Sequence, residues 1–542
     1  MFKDITQSKI NKNLLTLSLG TAILLGISFP PFPTGFFAMV GFVPFLLLID
    51  KIDFYGKFFR YSYFTFFIFC VITLYWTGGF THHKDPYLML AGGALLLFLP
   101  LVFTVFASFI FFVRKKIKKN YSLFFLPFLW VTCEWLLAYG EFSFPWLTLG
   151  NSQTYQVTKI QIADITGVYG LSFWILFINA VVYIFVTTFS FKEIRQNIKK
   201  AIYSLGIIFL LYFIPDIYGI PKIYNGFSDK KEFSIGVIQP NLDPWDKWEG
   251  ADSFVGRWNQ VKKYLNVINN HLKDSLDIVV LPETAILLNL PELHDQYNEY
   301  KTFIDTNKIS ILTGYVKVKY YREGNIPVSA SKISGTDIFY DSYNSIMFTQ
   351  PSTYNSQIYS KMRLVPLAER IPYAETAPFL IEPLRWGVGV SNWGKGTDST
   401  VFFDNKTNSK FLAMICYESI YPEFVSSFVK KGAEFLVFIT NDSWWGNTSG
   451  AQQHKQYAVL RAVENRRWVI RCANGGVSCF IDPLGNIFEE TKMYSENYIS
   501  KKISLQTEQT YYTKHGDLFA RICAWFSLLI LLFTVGYTIY KK

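Results

Sequence analysis

The feature that most constrains the fold is a set of eight apolar stretches, seven in the first 220 residues and one at the end of the chain. They lie near Leu14–Phe29, Gly35–Ile49, Phe58–Trp76, Tyr87–Val113, Tyr121–Tyr139, Tyr169–Phe189, Ala201–Tyr218 and Leu518–Tyr540. A spanning helix needs about 20 apolar residues, so the first two stretches are short. Half of the 542 residues are hydrophobic and only 17% are charged. The sequence therefore predicts a multi-pass membrane protein with about eight transmembrane helices.

The basic residues alternate with these stretches. The net charge is +11, but the lysines and arginines are not gathered in one patch, which argues against nucleic-acid binding. Two basic residues, Lys84 and Lys159, lie in one set of loops, and 17 lie in the other set and at the termini. These 17 are Lys3, Lys9, Lys12, Lys51, Lys57, Arg60, Arg114, Lys115, Lys116, Lys118, Lys119, Lys192, Arg195, Lys199, Lys200, Lys541 and Lys542. The positive-inside rule predicts that both termini are cytoplasmic and that seven crossings place the following segment outside.

That segment has the pattern of an α/β domain. From Phe233 onward, short apolar runs such as FSIGVIQ (233–239) and DIVVLPE (277–283) alternate with amphipathic helical segments. Such runs predict sheets that helices cover on at least one face. We expect three parts: a seven-helix membrane domain (1–219), an extracytoplasmic catalytic domain (220–517) and a terminal helix (518–542).

Residues of catalytic type lie in or next to several of these runs. Glu283 ends VVLPE, Lys361 and Glu369 lie in YSKMRLVPLAE, and Cys416 ends FLAMIC. Each alone has an ordinary explanation: a solvated cap, a surface lysine or a buried thiol. Together they form a chemical set, because a thiol with a pKa near 8.5 needs a base or a positive charge to become a nucleophile. Glu283 can accept the proton, and Lys361 can stabilise the charge of a tetrahedral intermediate.

The other cysteines and the histidines show no metal-site spacing. No pair of the six cysteines has C-x-x-C spacing, and the six histidines do not cluster near them, so we predict no zinc site. Cys472 and Cys479 flank a Gly-Gly turn and could form a disulfide, which spacing alone does not establish.

Several motifs resemble those of a known family. LPET, YSKMRLVPLAE and ICYES followed by NDSWWG resemble the Glu-Lys-Cys signatures of the nitrilase superfamily. With FPWLTLGNSQ (144–153), HKQYAVLRAVENRRWVIRCANGGVS (454–478) and the helices on both sides, the whole chain resembles the apolipoprotein N-acyltransferase family. Two motifs depart from the family pattern: LVPLAE stands where L-V-P-F-G-E is common, and NDSWWG where N-D-A-W-F-G is common.

The resemblance implies a nitrilase α-β-β-α sandwich in which Glu283 is the proton acceptor, Lys361 stabilises the intermediate and Cys416 is the nucleophile. Supporting or substrate-binding roles are implied for Glu369, Tyr417, Glu418, Trp248 and Trp444. No cofactor and no metal are implied.

The resemblance also implies the reaction and its partners. A phospholipid in the bacterial inner membrane would donate an acyl chain through a cysteine thioester to a diacylglyceryl apolipoprotein on the periplasmic side. The apolar stretch 377–394 is predicted to dip into the bilayer interface as an arm. Two alternatives are a membrane-anchored amidase or hydrolase that passes the acyl group to water, and a transporter with an accessory domain.

Overall fold

A computed structural model describes residues 11–79, 86–227, 231–244, 247, 253–272, 275–377, 379 and 393–541. Trp248 and most of the predicted arm at 377–394 lie outside these residues. The N-terminal and C-terminal parts are helical, and a two-sheet α/β domain lies between them in sequence.

The apolar stretches are helical, but not all are single long helices. The α-helices up to residue 225 are α1 (Lys12–Gly26), α2 (Ala38–Gly41), α3 (Val43–Lys51), α4 (Tyr55–Leu74), α5 (Pro86–Lys116), α6 (Leu126–Leu136), α7 (Val157–Ile160), α8 (Ala163–Thr188), α9 (Phe191–Gln196) and α10 (Ile198–Asn225). The stretch predicted as one segment at Gly35–Ile49 is broken into a 3₁₀ turn and two short helices. The break at Phe42 is stabilised from another helix, since the amide of Asn179 accepts the Phe42 N–H at 2.8 Å.

Five helices among the described residues are long and apolar enough to cross a membrane. They comprise Tyr55–Gly78, Leu88–Lys116, Ala163–Thr188, Ile198–Asn225 and Leu518–Tyr540. The first apolar helix, Lys12–Gly26, is shorter, and α6 has 11 residues. The chain is therefore a membrane protein, and the predicted count of eight crossings stays a prediction because three of the predicted segments are short.

Basic flanks that the sequence assigns to one side meet in the structure. Arg114 forms an ion pair of 2.7 Å with Asp50, and Lys115 forms one of 3.0 Å with Asp53. These contacts join the C-terminal end of α5 to the end of α3. At the other end of α5, its N-terminal end, Leu88 lines a cavity that Glu283 also lines.

The α/β domain is built on two stacked sheets. Its strands are β1 (Glu232–Gln239), β2 (Ile278–Val280), β3 (Ser310–Tyr321), β4 (Ser331–Lys332), β5 (Phe339–Thr349), β6 (Gln357–Ser360), β7 (Phe402–Asp404), β8 (Ser409–Ile415), β9 (Phe435–Thr440), β10 (Val469–Ala473), β11 (Cys479–Ile481), β12 (Ile487–Phe488) and β13 (Asn497–Ser504). One sheet has the order β13-β1-β2-β3-β5-β4, with β6 also paired to β5, and the other has the order β12-β11-β10-β9-β8-β7. Ring contacts between Phe233 and Phe435 and between Phe348 and Phe411 join the two inner faces.

Helices cover the outer faces, which completes the predicted α-β-β-α sandwich. These helices are α11 (Phe254–Asn270), α12 (His294–Asn307), α13 (Pro422–Lys430) and α14 (Ser449–Asn465), followed by α15 (Tyr511–His515) and α16 (Leu518–Tyr540). Helix α14 is buried along almost its whole length, because it lies between the second sheet and the membrane helices. A helix in that position couples the two parts of the chain.

Two contacts fix this junction. Gln453 on α14 accepts N–H groups of Trp146 at 2.7 Å and Trp76 at 3.2 Å through its Oε1 atom. Gly167 has φ +64°, and a Cβ atom there would lie 2.4 Å from the Tyr512 ring. Only glycine combines that backbone conformation with so close an approach.

Candidate active site

Glu283 lies just beyond strand β2, in a loop supported by the neighbouring strand. The Gly314 N–H of β3 donates to the Pro282 carbonyl at 3.2 Å. A Cβ atom at Gly314 would lie 2.4 Å from the Thr284 nitrogen, so the LPET loop rests directly on the glycine. The carboxylate accepts a hydrogen bond of 2.7 Å from the Asn344 side chain of β5. Glu283 is thereby held just beyond the C-terminal end of β2, a central strand of the first sheet.

Lys361 directly follows strand β6 and pairs with the same part of β5. Its backbone N–H donates to the Asn344 carbonyl at 2.8 Å. The Nζ atom lies 2.7 Å from Glu369 Oε1 and 3.5 Å from Glu283 Oε1. Glu369 is anchored in turn, because its Oε2 atom accepts the Val365 N–H at 2.8 Å. The lysine is therefore held between two carboxylates.

Cys416 directly follows strand β8 of the other sheet and begins a 3₁₀ turn. Its backbone has φ +51°, a left-handed conformation that costs a residue with a Cβ atom about 1–2 kcal/mol. Two hydrogen bonds to its carbonyl offset that cost, from Ser419 Oγ at 2.8 Å and from His454 Nε2 at 3.1 Å. Strain held in place by surrounding contacts is a common feature of functional sites.

The charges of this cluster follow from burial and ion pairing. Burial raises the pKa of the Cys416 thiol well above its usual value, Glu283 raises it further, and Lys361 opposes the shift only in part. Burial acts to lower the pKa of Lys361, but Glu369 and Glu283 raise it more, so the ammonium form persists. The resting site thus holds a neutral thiol beside a cation, and a base must remove the thiol proton before or during attack.

Beneath Cys416 lies a buried polar network. Cys416, Asp442 and His454 lie with their potential metal-ligand atoms within 4.8 Å of one another. The Asp442 carboxylate is paired with Arg471, and its Oδ1 atom lies 3.0 Å from His454 Nδ1. His454 Nε2 is also within 2.9 Å of Ser419 Oγ. Since Asp442 and His454 already have protein partners, they support the nucleophile loop, and the group does not fit a metal ion.

Glu418 lies away from the cavity and links two motifs. Its carboxylate accepts the Tyr359 hydroxyl at 2.6 Å, the Met362 N–H at 2.7 Å and the Ile415 N–H at 2.9 Å. Burial raises the pKa of Glu418, and these donors oppose that shift. Glu418 therefore ties the lysine loop to the cysteine strand.

The remaining predicted site residues divide into two groups. Tyr417 and Trp444 line the cavity beside Cys416, and the Tyr417 hydroxyl donates to the Ser143 carbonyl at 2.8 Å. Trp248 lies outside the described residues, and its predicted role stays a prediction.

Cys472 and Cys479, which could have formed a disulfide, are both free and buried.

Glu283, Lys361, Glu369 and Cys416 open onto one cavity of about 410 Å³. Its other wall is supplied by the membrane domain, and most of the side chains there are apolar or aromatic. These residues are Trp76, Thr77, Gly79, Leu88, Ala91, Gly92, Ala94, Leu95, Phe98, Phe142, Phe144 and Trp146. A cavity with one polar end and a long apolar wall fits a substrate that carries an acyl chain.

Sequence reasoning did not single out two contributors. Asn344, in the strand motif NSIMFT, contacts Glu283 at 2.7 Å and Glu369 at 3.4 Å. His454 begins a motif used for the family resemblance, but it received no role. A polar residue at the start of an apolar strand was the available signal for Asn344, and nothing in the sequence indicates which residue it faces.

The fold and this cluster define the class of protein. Two stacked sheets present a glutamate, a lysine and a cysteine just beyond the ends of β2, β6 and β8, which is the arrangement that the sequence resemblance predicts for a carbon-nitrogen hydrolase domain. The carbon-nitrogen hydrolase family model matches residues 235–513. The model of the apolipoprotein N-acyltransferase N-terminal domain matches residues 21–181.

The similarity to two known proteins extends over nearly the whole chain. The apolipoprotein N-acyltransferase of Chlorobaculum tepidum is 34% identical over 520 residues, covering 94% of each protein. That of Geobacter metallireducens is 28% identical over 93% of this chain and 92% of its own. A carbon-nitrogen hydrolase structure from Helicobacter pylori, 16% identical with a TM-score of 0.37, covers 55% of this chain and 99% of its own. The chain belongs to the apolipoprotein N-acyltransferase family.

Proposed function

We propose that this protein transfers a fatty acyl chain from a membrane phospholipid to the α-amino group of the N-terminal diacylglyceryl cysteine of an apolipoprotein. One observation carries the proposal: Cys416 opens into a cavity whose far wall is the apolar face of membrane helix α5. An amidase for small soluble substrates would gain nothing from Leu88, Leu95 and Phe98 in that wall. An acyl chain would remain in apolar surroundings while its ester reaches the thiol.

In the first half-reaction, Glu283 accepts the Cys416 proton as the sulfur attacks the ester carbonyl. The tetrahedral oxyanion forms beside Lys361, whose ammonium stabilises it. As the intermediate collapses, the carbon–oxygen bond to glycerol breaks, and the leaving oxygen takes the proton from Glu283. The products are a thioester on Cys416 and a lysophospholipid.

In the second half-reaction, the apolipoprotein amine attacks the thioester carbonyl, and Glu283 accepts a proton from the amine. A second oxyanion forms at the same place, and its collapse breaks the carbon–sulfur bond. The sulfur regains a proton and the product is an amide. Because the acyl group rests on the enzyme between substrates, we expect ping-pong kinetics.

The supporting residues receive positioning or binding roles in this proposal. Glu369 holds Lys361 through the 2.7 Å ion pair, and Glu418 holds the lysine loop against Cys416. Tyr417 and Trp444 border the acyl-binding region, and the family resemblance implies a substrate-binding role for Trp248. No cofactor or metal takes part in any step.

We further propose that residues 1–219 form a seven-helix membrane domain, 220–517 a periplasmic catalytic domain and 518–542 a last helix of the bacterial inner membrane, with both termini cytoplasmic. The 17 basic residues on one side support this topology. The contacts of Arg114 and Lys115 at the far end of α5 agree with it. In the structure helix α10 continues to Asn225, past the proposed boundary at 219.

The test uses the full chain in liposomes with phospholipid and a synthetic diacylglyceryl lipopeptide, followed by mass spectrometry. The expected result is a lipopeptide heavier by one acyl chain, together with lysophospholipid. Release of free fatty acid with no acylated peptide would instead identify a hydrolase and overturn the proposal.

A further inference from the structure

A second cavity, of about 180 Å³, adjoins the active-site cavity. It lies between the loop that follows α6, at Gly140–Ser143, and the lysine loop at 362–366. Pro366 lines both cavities. Tyr421 lines the second cavity, and its ring centre lies 5.4 Å from that of Tyr417, the residue that follows Cys416. A ligand could therefore occupy both cavities at once.

The second cavity carries a small excess of positive charge. Arg363, Arg370 and Lys395 line it, together with one carboxylate, Glu141. Arg370 is paired with Glu375, and Lys395 lies 3.9 Å from Glu141. Three cations against two carboxylates leave a net charge of +1, which one singly charged anion would neutralise.

Arg363 supplies the uncompensated charge. Its guanidinium lies 5.4 Å from the ring centres of both Tyr421 and Phe424, and it forms no ion pair with the described residues. Its backbone N–H is held by Glu418 at 3.1 Å. A guanidinium already held over two rings loses little freedom when it binds an oxyanion, and its planar fork suits two oxygens of a phosphate.

Arg370 offers a second donor. The residue is 7% exposed, and Nη1 donates to the Trp393 carbonyl at 3.0 Å. Its Nε–H is buried and has no hydrogen-bond partner in the described part of the chain. Buried N–H groups without an acceptor are uncommon in native proteins, so this one points to an acceptor that the described residues do not supply.

We propose that this second cavity binds the phosphodiester group of the acyl donor, with Arg363 as the main ligand and Arg370 Nε as a further donor. The assignment rests on the proposed function, which makes the donor a phospholipid. In a glycerophospholipid the phosphate is only a few bonds from the ester carbonyls, so a phosphate site must adjoin the nucleophile. The donor would then place its headgroup in the second cavity and its acyl chain along α5.

The first test measures binding apart from chemistry. Cys416→Ala protein in detergent is titrated with fluorescent phosphatidylethanolamine, phosphatidylglycerol and diacylglycerol that carry the same labelled acyl chain. Adding Arg363→Gln is expected to weaken the binding of both phospholipids about tenfold, the usual loss for a hydrogen-bonded charge. The affinity for diacylglycerol should be unchanged. Arg363→Lys should recover part of the loss, and Arg322→Gln, at an exposed site just past the end of β3, should change nothing. An equal effect of Arg363→Gln on all three lipids would overturn the proposal.

Competition separates a lipid headgroup from a free anion. Inorganic phosphate, added in the same titration, is expected to displace the phospholipids only at concentrations far above that of the lipid. Displacement by phosphate at equal concentration would assign the cavity to a soluble anion and overturn the headgroup assignment.

The second test follows acyl-enzyme formation in the Cys416-containing protein by intact-protein mass spectrometry. Arg363→Gln is expected to raise the phospholipid concentration for half-maximal acylation about tenfold, with the diacylglycerol reaction unchanged. If the wild type forms no acyl-enzyme from any donor but still binds phospholipids through Arg363, the acyl-transfer proposal fails and the phosphate site stands. If acylation proceeds and Arg363→Gln alters neither donor, the phosphate site fails alone.

Discussion

Asn344 donates a hydrogen bond of 2.7 Å to Glu283 Oε1 across the first sheet. The donor lies on β5 and the acceptor just beyond β2, with β3 between these strands. The same amide is 3.4 Å from Glu369 Oε1, so one side chain orients both carboxylates that flank Lys361. The base proposed for both half-reactions is thus placed by a neutral residue.

Replacing Asn344 should therefore impair proton transfer without unfolding the domain. Asn344→Ala is expected to slow acyl-enzyme formation by about tenfold to a hundredfold, the range for losing a hydrogen bond to a charged group. The rate is measured with a labelled phospholipid donor. Phospholipid binding by the same variant serves as the control and should stay within about twofold. An unchanged acylation rate would show that Asn344 has no part in positioning Glu283.

The assignment of the nucleophile is tested by the three cysteines of the α/β domain. Cys416→Ala should form no thioester and no product, because the sulfur is the atom that carries the acyl group. Cys472→Ala and Cys479→Ala remove buried thiols that do not line the cavity, so acyl transfer should persist. Labelled acyl-enzyme in Cys416→Ala would refute the assignment.

Stability should depend on pH through Glu464, which is fully buried on α14. Burial raises its pKa to about 7, Arg461 and the Val168 N–H oppose that shift, and Asp517 adds to it. A carboxyl whose folded pKa is raised stabilises the fold below its unfolded pKa, and this contribution is lost as the pH rises through the folded value. We expect Glu464→Gln to reduce the loss of thermal stability between about pH 4.5 and about pH 7, the unfolded and folded pKa values of this carboxyl. An equal loss in wild type and variant would contradict this prediction.

The junction between the two parts of the chain should be sensitive at Gly167. Alanine there would need a left-handed backbone and would place Cβ 2.4 Å from Tyr512. Gly167→Ala is expected to lower the free energy of unfolding by about 2 kcal/mol or more, of which the backbone alone accounts for about 1–2. Gly206→Ala on α10 is the matched control, since a Cβ there meets no atom within 4 Å. The stabilities of the two detergent-solubilised variants are compared by thermal unfolding. Equal stability would show that the close approach of Gly167 to Tyr512 does not matter for the fold.

The topology has its own test. A reporter fused after Gly226 should behave as exported, and one fused after Lys119 as cytoplasmic, because the basic flanks remain on the cytoplasmic side. A membrane-impermeant thiol reagent should reach Cys416 from the outer face of the inner membrane in spheroplasts, wherever the cavity is open. Opposite sidedness would exclude the lipoprotein reaction, since the acceptor would then be out of reach.

Local patterns in the sequence were sufficient for the membrane character, the α/β domain and the three main candidate residues, and the family resemblance added the two-sheet sandwich. The short apolar runs that form β2 and β8 can be recognised in the sequence as buried strands. The polar residue that follows each run can be read from the sequence in the same way. Glu283 and Cys416 are recognisable for that reason, and the motif context adds Lys361.

Long-range packing decided the rest. The break of the segment at Gly35–Ile49 depends on Asn179, 137 residues away from Phe42, which no local pattern can indicate. Asn344 reaches Glu283 only because strand pairing brings β5 and β2 into one sheet. The apolar wall of the cavity comes from α5, whose sequence shows only that it can cross a bilayer. Periodicity determines which face of an element is apolar, whereas the partner of that face is set by the tertiary fold.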